Sequence, residues 1–283
     1  MSWQIFITIS IVFNSFASLV NRQLMKTKKN DSYLFAIVFQ AAGAFLILLI
    51  GLILGRISFP NLSPVFFHLF LMTLLYGIGS VLVFESYKRV EASNFTIVFA
   101  MRVIVVIVAS RLFLGEILQI QQFIGAALVL SGVIIVTVKN TRFNFSNDII
   151  YVLMATLAFG LAGANDKYIL DTVDIDVFSF LVLGFFLPVI PMLLIKPKSF
   201  TSVPQLIGRR NLGLIGLLVV LYVIQALGFY FAVESVDISI VASVNQITDV
   251  LTVVLAIVLL GETDGLLRKL IGAGTSFAGL LLI

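Results

Sequence analysis

The chain has no cysteine and one histidine, His68, among 283 residues. The first absence removes disulfide frameworks, zinc knuckles, iron-sulfur ligation and thiol nucleophiles together; the second leaves no histidine-based metal site or catalytic dyad. Charge is also scarce, at 11% against the roughly 25% of an ordinary soluble domain. With 60% hydrophobic residues, 26 of them Phe, the chain has too little polar surface to cover a soluble domain. A net charge of +4 does not indicate nucleic acid, because 14 acids offset 18 bases and the bases fall in short clusters between apolar runs. No cofactor or metal is expected.

What the chain has instead is long apolar runs. A helix needs roughly 20 apolar residues to cross about 30 Å of hydrocarbon. Ten such runs are read, at 4–25, 33–54, 65–88, 93–114, 120–138, 148–170, 177–196, 211–233, 239–260 and 266–283. Strands of a membrane barrel would alternate apolar and polar, whereas Val103 to Val108 is continuously apolar. The breaks are too short for an extramembrane domain, so an all-α integral membrane protein is expected. The first run lacks a basic leader and is kept as a span.

Basic residues fall in the breaks after runs one, three, five, seven and nine: Arg22, Lys26, Lys28, Lys29, Lys88, Arg89, Lys139, Arg142, Lys196, Lys198, Arg209, Arg210, Arg268 and Lys269. The opposite set holds little beyond Arg56, Arg111 and Lys167. By the positive-inside rule the first set is cytoplasmic, which puts both termini on the outer face of a bacterial-type inner membrane.

The halves are self-similar. Val90-Glu91-Ala92-Ser93 leads into a run ending Leu114-Gly115-Glu116; Val236-Asp237-Ile238-Ser239 leads into one ending Leu260-Gly261-Glu262, at an offset of 146 that Tyr76 and Tyr222 share. Ile124-Gly125-Ala126 and Gly132 match Ile271-Gly272-Ala273 and Gly279 at 147. Each half, 1–142 and 143–283, then holds five runs, and an odd number inverts the second half in the membrane. Inverted repeats of this kind build secondary transporters with a site near the midplane.

These motifs in this order resemble the EamA-like members of the drug/metabolite transporter superfamily, over essentially the whole chain. The resemblance implies a metabolite or drug carrier that works by alternating access, its cavity lined mainly by spans one, three, four, six, eight and nine. It names no substrate. It also implies termini in the cytoplasm, which the basic loops of this chain contradict.

An ionisable residue at mid-membrane should face a cavity or a partner. Arg102 in span four and Asp249 in span nine qualify, one residue apart in the repeat register. They are expected to face one another or share a cavity, offering a fork to a carboxylate and an acceptor to an amine; the bland alternative is a buried ion pair holding the halves in register. Asn245, Asp249 and Thr252 share one face of span nine, beside Gln246. Asn14, Gln40 and Gln225 are divided between solute contact and interhelical hydrogen bonding. Tyr76, Phe84, Phe95, Phe99, Tyr222, Phe229 and Tyr230 are candidates for an apolar-aromatic wall. Asn165 and Asp166, at the end of span six, are candidates for an outer gate against the default of a solvated helix end, and Glu85 for a gate against a local pair with Arg89. Glu116 and Glu262 are read as helix ends reaching water, the recurrent glycines as packing or homodimer contacts, and Pro188 and Pro191 as a kink in span seven. In the small four-span multidrug relatives a span-one carboxylate exchanges protons; here Asn14 stands there, leaving Asp249 as the mid-membrane carboxylate.

The expected function is export of a small amphipathic or zwitterionic metabolite such as an amino acid, with a hydrophobic-cation or drug exporter as rival. A non-transporting membrane interaction partner is the alternative of another class. An intramembrane enzyme lacks its constellation.

Overall fold

The computed structural model describes residues 2–26, 31–109, 120–137, 148–195, 209–234, 241, 244–245 and 247–282. Leu114 to Glu116, Val236 to Ser239, Gln246, Lys28, Lys29, Arg111, Lys139, Arg142, Lys196 and Lys198 lie outside them.

Every regular element among the described residues is helical, which is what hydrocarbon demands of a chain that must satisfy its backbone polar groups within each segment. In chain order they are α1 (Trp3–Met25), α2 (Ser32–Ile53), a 3₁₀ turn (Ser63–Val65), α3 (Phe66–Arg89), α4 (Ala92–Phe99), α5 (Arg102–Ala109), α6 (Ile120–Thr137), α7 (Ile149–Thr172), α8 (Val177–Phe186), α9 (Val189–Ile195), α10 (Arg209–Val233), α11 (Ile247–Leu260) and α12 (Leu266–Leu280). Among the described residues, six stretches are long and apolar enough to cross a membrane: Trp3–Met25, Ser32–Ile53, Ser63–Arg89, Ile149–Thr172, Val177–Ile195 and Asn211–Val233. Large apolar side chains such as Phe45, Phe66, Phe67, Ile53 and Leu194 are exposed on the outside of the bundle, an arrangement stable only in lipid. The molecule is a multi-pass α-helical membrane protein.

Two expected spans are broken. Span seven divides into α8 and α9 because Pro188 has no N–H to continue the ladder. Span four divides at Ala100-Met101, where the Met101 amide donates to the Val98 carbonyl at 3.1 Å, three residues back, in place of an α-helical bond. Arg102 therefore opens a new helical segment inside the membrane.

Glycines set the closest helix contacts. A Cβ on Gly132 of α6 would lie 2.5 Å from the Gly272 carbonyl and 2.8 Å from the Ser276 amide of α12, and closer still to Ser276 Oγ. A Cβ on Gly279 of α12 would lie 2.5 Å from the Gly125 carbonyl and 2.7 Å from the Val129 amide of α6. These residues correspond at the offset of 147, so each helix treats the other alike. Gly228 presses α10 onto the Phe6 carbonyl of α1, and Gly79 presses α3 onto Phe159 of α7. The main pairings are α1 with α10, α3 with α7, α6 with α12 and α2 with α8.

Polar residues tie the two ends of the bundle. At one end Glu85 binds Arg89 at 2.6 Å and accepts from Ser32 at 2.5 Å, and Arg89 reaches Asp148 at 3.1 Å. Glu262 corrects the expectation of a helix end in water: it is buried and belongs to the same end. Gly261, at φ +67°, ends α11 and turns the chain back. Glu262 then accepts from the amides of Ala92 and Ser93, both at 3.0 Å, and from Ser93 Oγ at 2.7 Å. At the opposite end Asp176 caps α8 through the Phe178 amide at 2.8 Å and binds Arg56 at 2.8 Å, while Arg56 also reaches Glu234 at 3.3 Å.

Candidate functional site

The helices line a cavity of about 280 Å³, of the order of a small-ligand site. Its wall draws on α1, α2, α3, α4, α5, α7, α8, α10, α11 and the residues just before α11.

Most of the wall is aromatic. Phe39 of α2 meets Phe84 of α3, Phe185 of α8 and Tyr222 of α10 at centroid distances of 5.7, 5.8 and 5.1 Å. Phe99 stacks on Phe95 at 4.9 Å and meets Phe159 edge-on at 5.6 Å. Ring pairs of this kind hold a wall rigid with few rotatable bonds. All seven aromatic residues singled out from the sequence line it.

The polar residues singled out as substrate contacts, Arg102, Asp249, Asn245, Asn14, Gln225 and Thr252, also line this cavity. Arg102 is positioned by the smallest residue available to its neighbour: a Cβ on Gly160 of α7 would lie 2.9 Å from the Arg102 carbonyl and 2.5 Å from Val105 Cβ. Its guanidinium sits 4.7 Å from the centre of the Phe99 ring, a cation-π contact. No salt bridge joins Arg102 and Asp249 among the described residues, so the reading as a buried ion pair is not what the structure holds. The amides are linked in a chain, Gln225 Nε2 donating to Ser10 Oγ at 3.5 Å and Ser10 Oγ to Asn245 Oδ1 at 3.4 Å. Gln40 lines the cavity too and donates to Ser80 Oγ at 2.6 Å, which joins α2 to α3.

Among the described residues, four on the cavity wall carry a buried polar atom with no protein partner: Asp249 (Oδ2), Thr248 (Oγ1), Thr252 (Oγ1) and Asn21 (Oδ1). Buried polar atoms are otherwise satisfied in folded proteins, so residues of a cavity wall that carry such atoms are candidates for polar ligand contact. Asn21 and Thr248 were not singled out from the sequence. Asn21 stands two turns beyond Asn14 on α1 and Thr248 next to Asp249, and the face of each helix was the signal available.

The gate candidates lie elsewhere. Glu85 is held by Arg89 and Ser32 at the basic end of the bundle. Asn165 and Asp166 are not at a solvated helix end, because α7 runs on to Thr172 and both are buried. Asn165 donates to the His68 carbonyl at 2.9 Å and faces His68 Nδ1 at 2.8 Å, with His68 stacked on Tyr168 at 3.8 Å. Asp166 accepts from the hydroxyls of Tyr76 at 2.5 Å and Tyr230 at 3.0 Å. Asp249 is therefore not the only carboxylate inside the helices.

A sequence profile described as the EamA-like transporter family matches residues 1–138 and again residues 147–283. The chain belongs to that family. The family is one of transporters. No curated protein matches the chain. A crystal structure of a protein resembles this EamA-family chain at a TM-score of 0.62 and 15% identity, covering 99% of this chain and 95% of that one, which is a likeness of fold.

Proposed function

We propose that this EamA-family protein is an alternating-access carrier that exports a small amphipathic or zwitterionic metabolite, an amino acid or a close analogue, across a bacterial-type inner membrane. The observation that carries the reading is the composition of one cavity wall. It sets Arg102, held over a ring and without a salt bridge among the described residues, and Asp249, which carries an unpartnered Oδ2, on the wall of the same aromatic chamber. A carboxylate suits the first and an amine the second; an apolar side group suits Phe39, Phe99 and Tyr222.

The plan proposed for this carrier is ten spans in two inverted five-helix repeats, 1–142 and 143–283. The two family matches and the reciprocal contacts of Gly132 and Gly279 support it. So does the pairing of α1 with α10 and α3 with α7, since a two-fold operation exchanging spans one and six, three and eight maps one pair onto the other.

The test is a thermal-shift screen of purified protein against amino acids, organic anions, sugars, nucleosides and cationic dyes, followed by uptake of the stabilising class into proteoliposomes. A ligand at ~100 times its Kd adds about 2.7 kcal/mol to the folded state. Stabilisation and flux of amino acids support the reading; stabilisation by cationic dyes alone favours a drug exporter, and binding with no flux of any class favours a non-transporting partner.

A further inference from the structure

We propose that Asp166 is a proton-binding site that switches the hydroxyls of Tyr76 and Tyr230 between pointing at it and pointing into the cavity. Asp166 lies inside α7, 4% exposed. Among the described residues no salt bridge reaches it, and its hydrogen-bond donors are the two phenols, both on Oδ2. Its other oxygen, Oδ1, is buried with no partner. A carboxylate held inside a span by donors that, among the described residues, are all neutral is poorly compensated.

The connection to the cavity is through the phenols. Tyr76 and Tyr230 line the cavity wall, and each spends its one O–H on Asp166 behind that wall. When a proton from water binds Oδ2, that oxygen becomes a donor. It then donates to one phenol oxygen, and that phenol's own proton turns towards the cavity, where it can serve a solute. Nothing else is bound or released.

The charged and titratable groups around this carboxyl are few. From α3 they are Tyr76 and His68, the latter held by Asn165; from α10, Tyr230 and Tyr222; on α7 itself, Lys167, Tyr168 and Asp171. Arg102 of α5 lies against Gly160, six positions earlier on α7. Proton binding at Asp166 is independent of which solute the carrier moves, so its test does not depend on the proposed function.

The test is infrared spectroscopy of the full chain in lipid nanodiscs, titrated from about pH 5 to about pH 9, the range open to buried carboxyls. A protonated-carboxyl band that fades as pH rises, with tyrosine ring modes shifting at the same midpoint, is expected in the wild type. Asp166→Asn should remove the component of the band that is coupled to the tyrosine modes, whereas Asp249→Asn should leave that component. Tyr76→Phe and Tyr230→Phe, which keep the carboxyl and remove a donor, should each move its midpoint. The proposal is overturned by a wild type with no tyrosine-coupled carboxyl band, by such a component that survives Asp166→Asn, or by one that ignores both tyrosine variants. Titration that changes when sodium replaces choline overturns it in favour of a metal cation, and titration without a tyrosine response removes the switch.

Discussion

The carboxylate of Glu262 receives both the backbone amide and the hydroxyl of Ser93, 169 residues earlier in the chain. Glu91, the residue at the cap position of α4, makes no capping bond of its own and pairs instead with buried Lys269 at 2.5 Å. Glu262 thus supplies the acceptors that the first turn of α4 lacks. Glu262→Ala strands the amides of Ala92 and Ser93 in a buried place and should cost about 1–3 kcal/mol. Glu262→Gln retains one acceptor and should cost less. Melting temperatures in detergent check this, and equal stability of Glu262→Ala and wild type would contradict it.

Gly132→Ala and Gly279→Ala should destabilise to a similar degree, because each adds a Cβ against a facing carbonyl and amide that cannot step aside. Gly274, in the same helix as Gly279, has nothing within 4 Å of an added Cβ. Gly274→Ala should therefore raise stability by roughly 0.5–1 kcal/mol through helix propensity alone. Thermal unfolding of the three variants separates contact from propensity.

Cost in hydrocarbon made the site legible and also limited what could be read. Arg102 and Asp249 stand out in sequence because nothing near them is charged, and both line the cavity. Glu262 and Asp166 were misread for one shared reason: each sits near the end of an apolar run, where water is the default partner. What removed the water was other chain. Ala92 and Ser93 come to Glu262 from the far half, and Tyr76 and Tyr230 close over Asp166 from α3 and α10. The break at Ala100-Met101 carries no Gly or Pro to announce it, so it was invisible to pattern.

Arg56 joins the turn after α2 to the start of α8 and the end of α10, while its guanidinium lies 5.1 Å from the Phe231 ring and 5.5 Å from that of Phe178. Half-exposed pairs of this kind contribute only about 0–1 kcal/mol to folding, but a few tenths suffice to shift two conformations of similar energy. Arg56→Gln should fold normally and open this end of the bundle more often. The cysteine-free chain makes the measurement clean: with Ala226→Cys on the cavity wall, an impermeant maleimide added on the Arg56 side should label faster in the Arg56→Gln background. An unchanged rate would remove the gating role.

The basic end, with Arg22, Lys88, Arg89 and Lys269, should face the cytoplasm. Ser2→Cys should then be labelled by an impermeant maleimide in intact cells and Lys26→Cys only after lysis. The reverse pattern would place this chain in the orientation that the family resemblance implies.

Because no salt bridge joins Arg102 to Asp249, removing either should not strand a paired charge, and both variants should fold. That separates recognition from structure. A charge-assisted hydrogen bond contributes about 1.5–3 kcal/mol, so Arg102→Gln should weaken binding of a carboxylate-bearing solute by about 10- to 100-fold and leave amines without a carboxylate unaffected. Asp249→Asn should do the opposite, weakening amines and sparing neutral or anionic analogues. Competition by a zwitterion, its ester and its deaminated acid in a thermal-shift or counterflow assay reads out both. If each variant lost all three ligands equally, the two residues would be shaping the cavity without touching the solute, and Asn21, Thr248 and Thr252, which line the same cavity and carry partnerless polar atoms, would become the contacts to remove next.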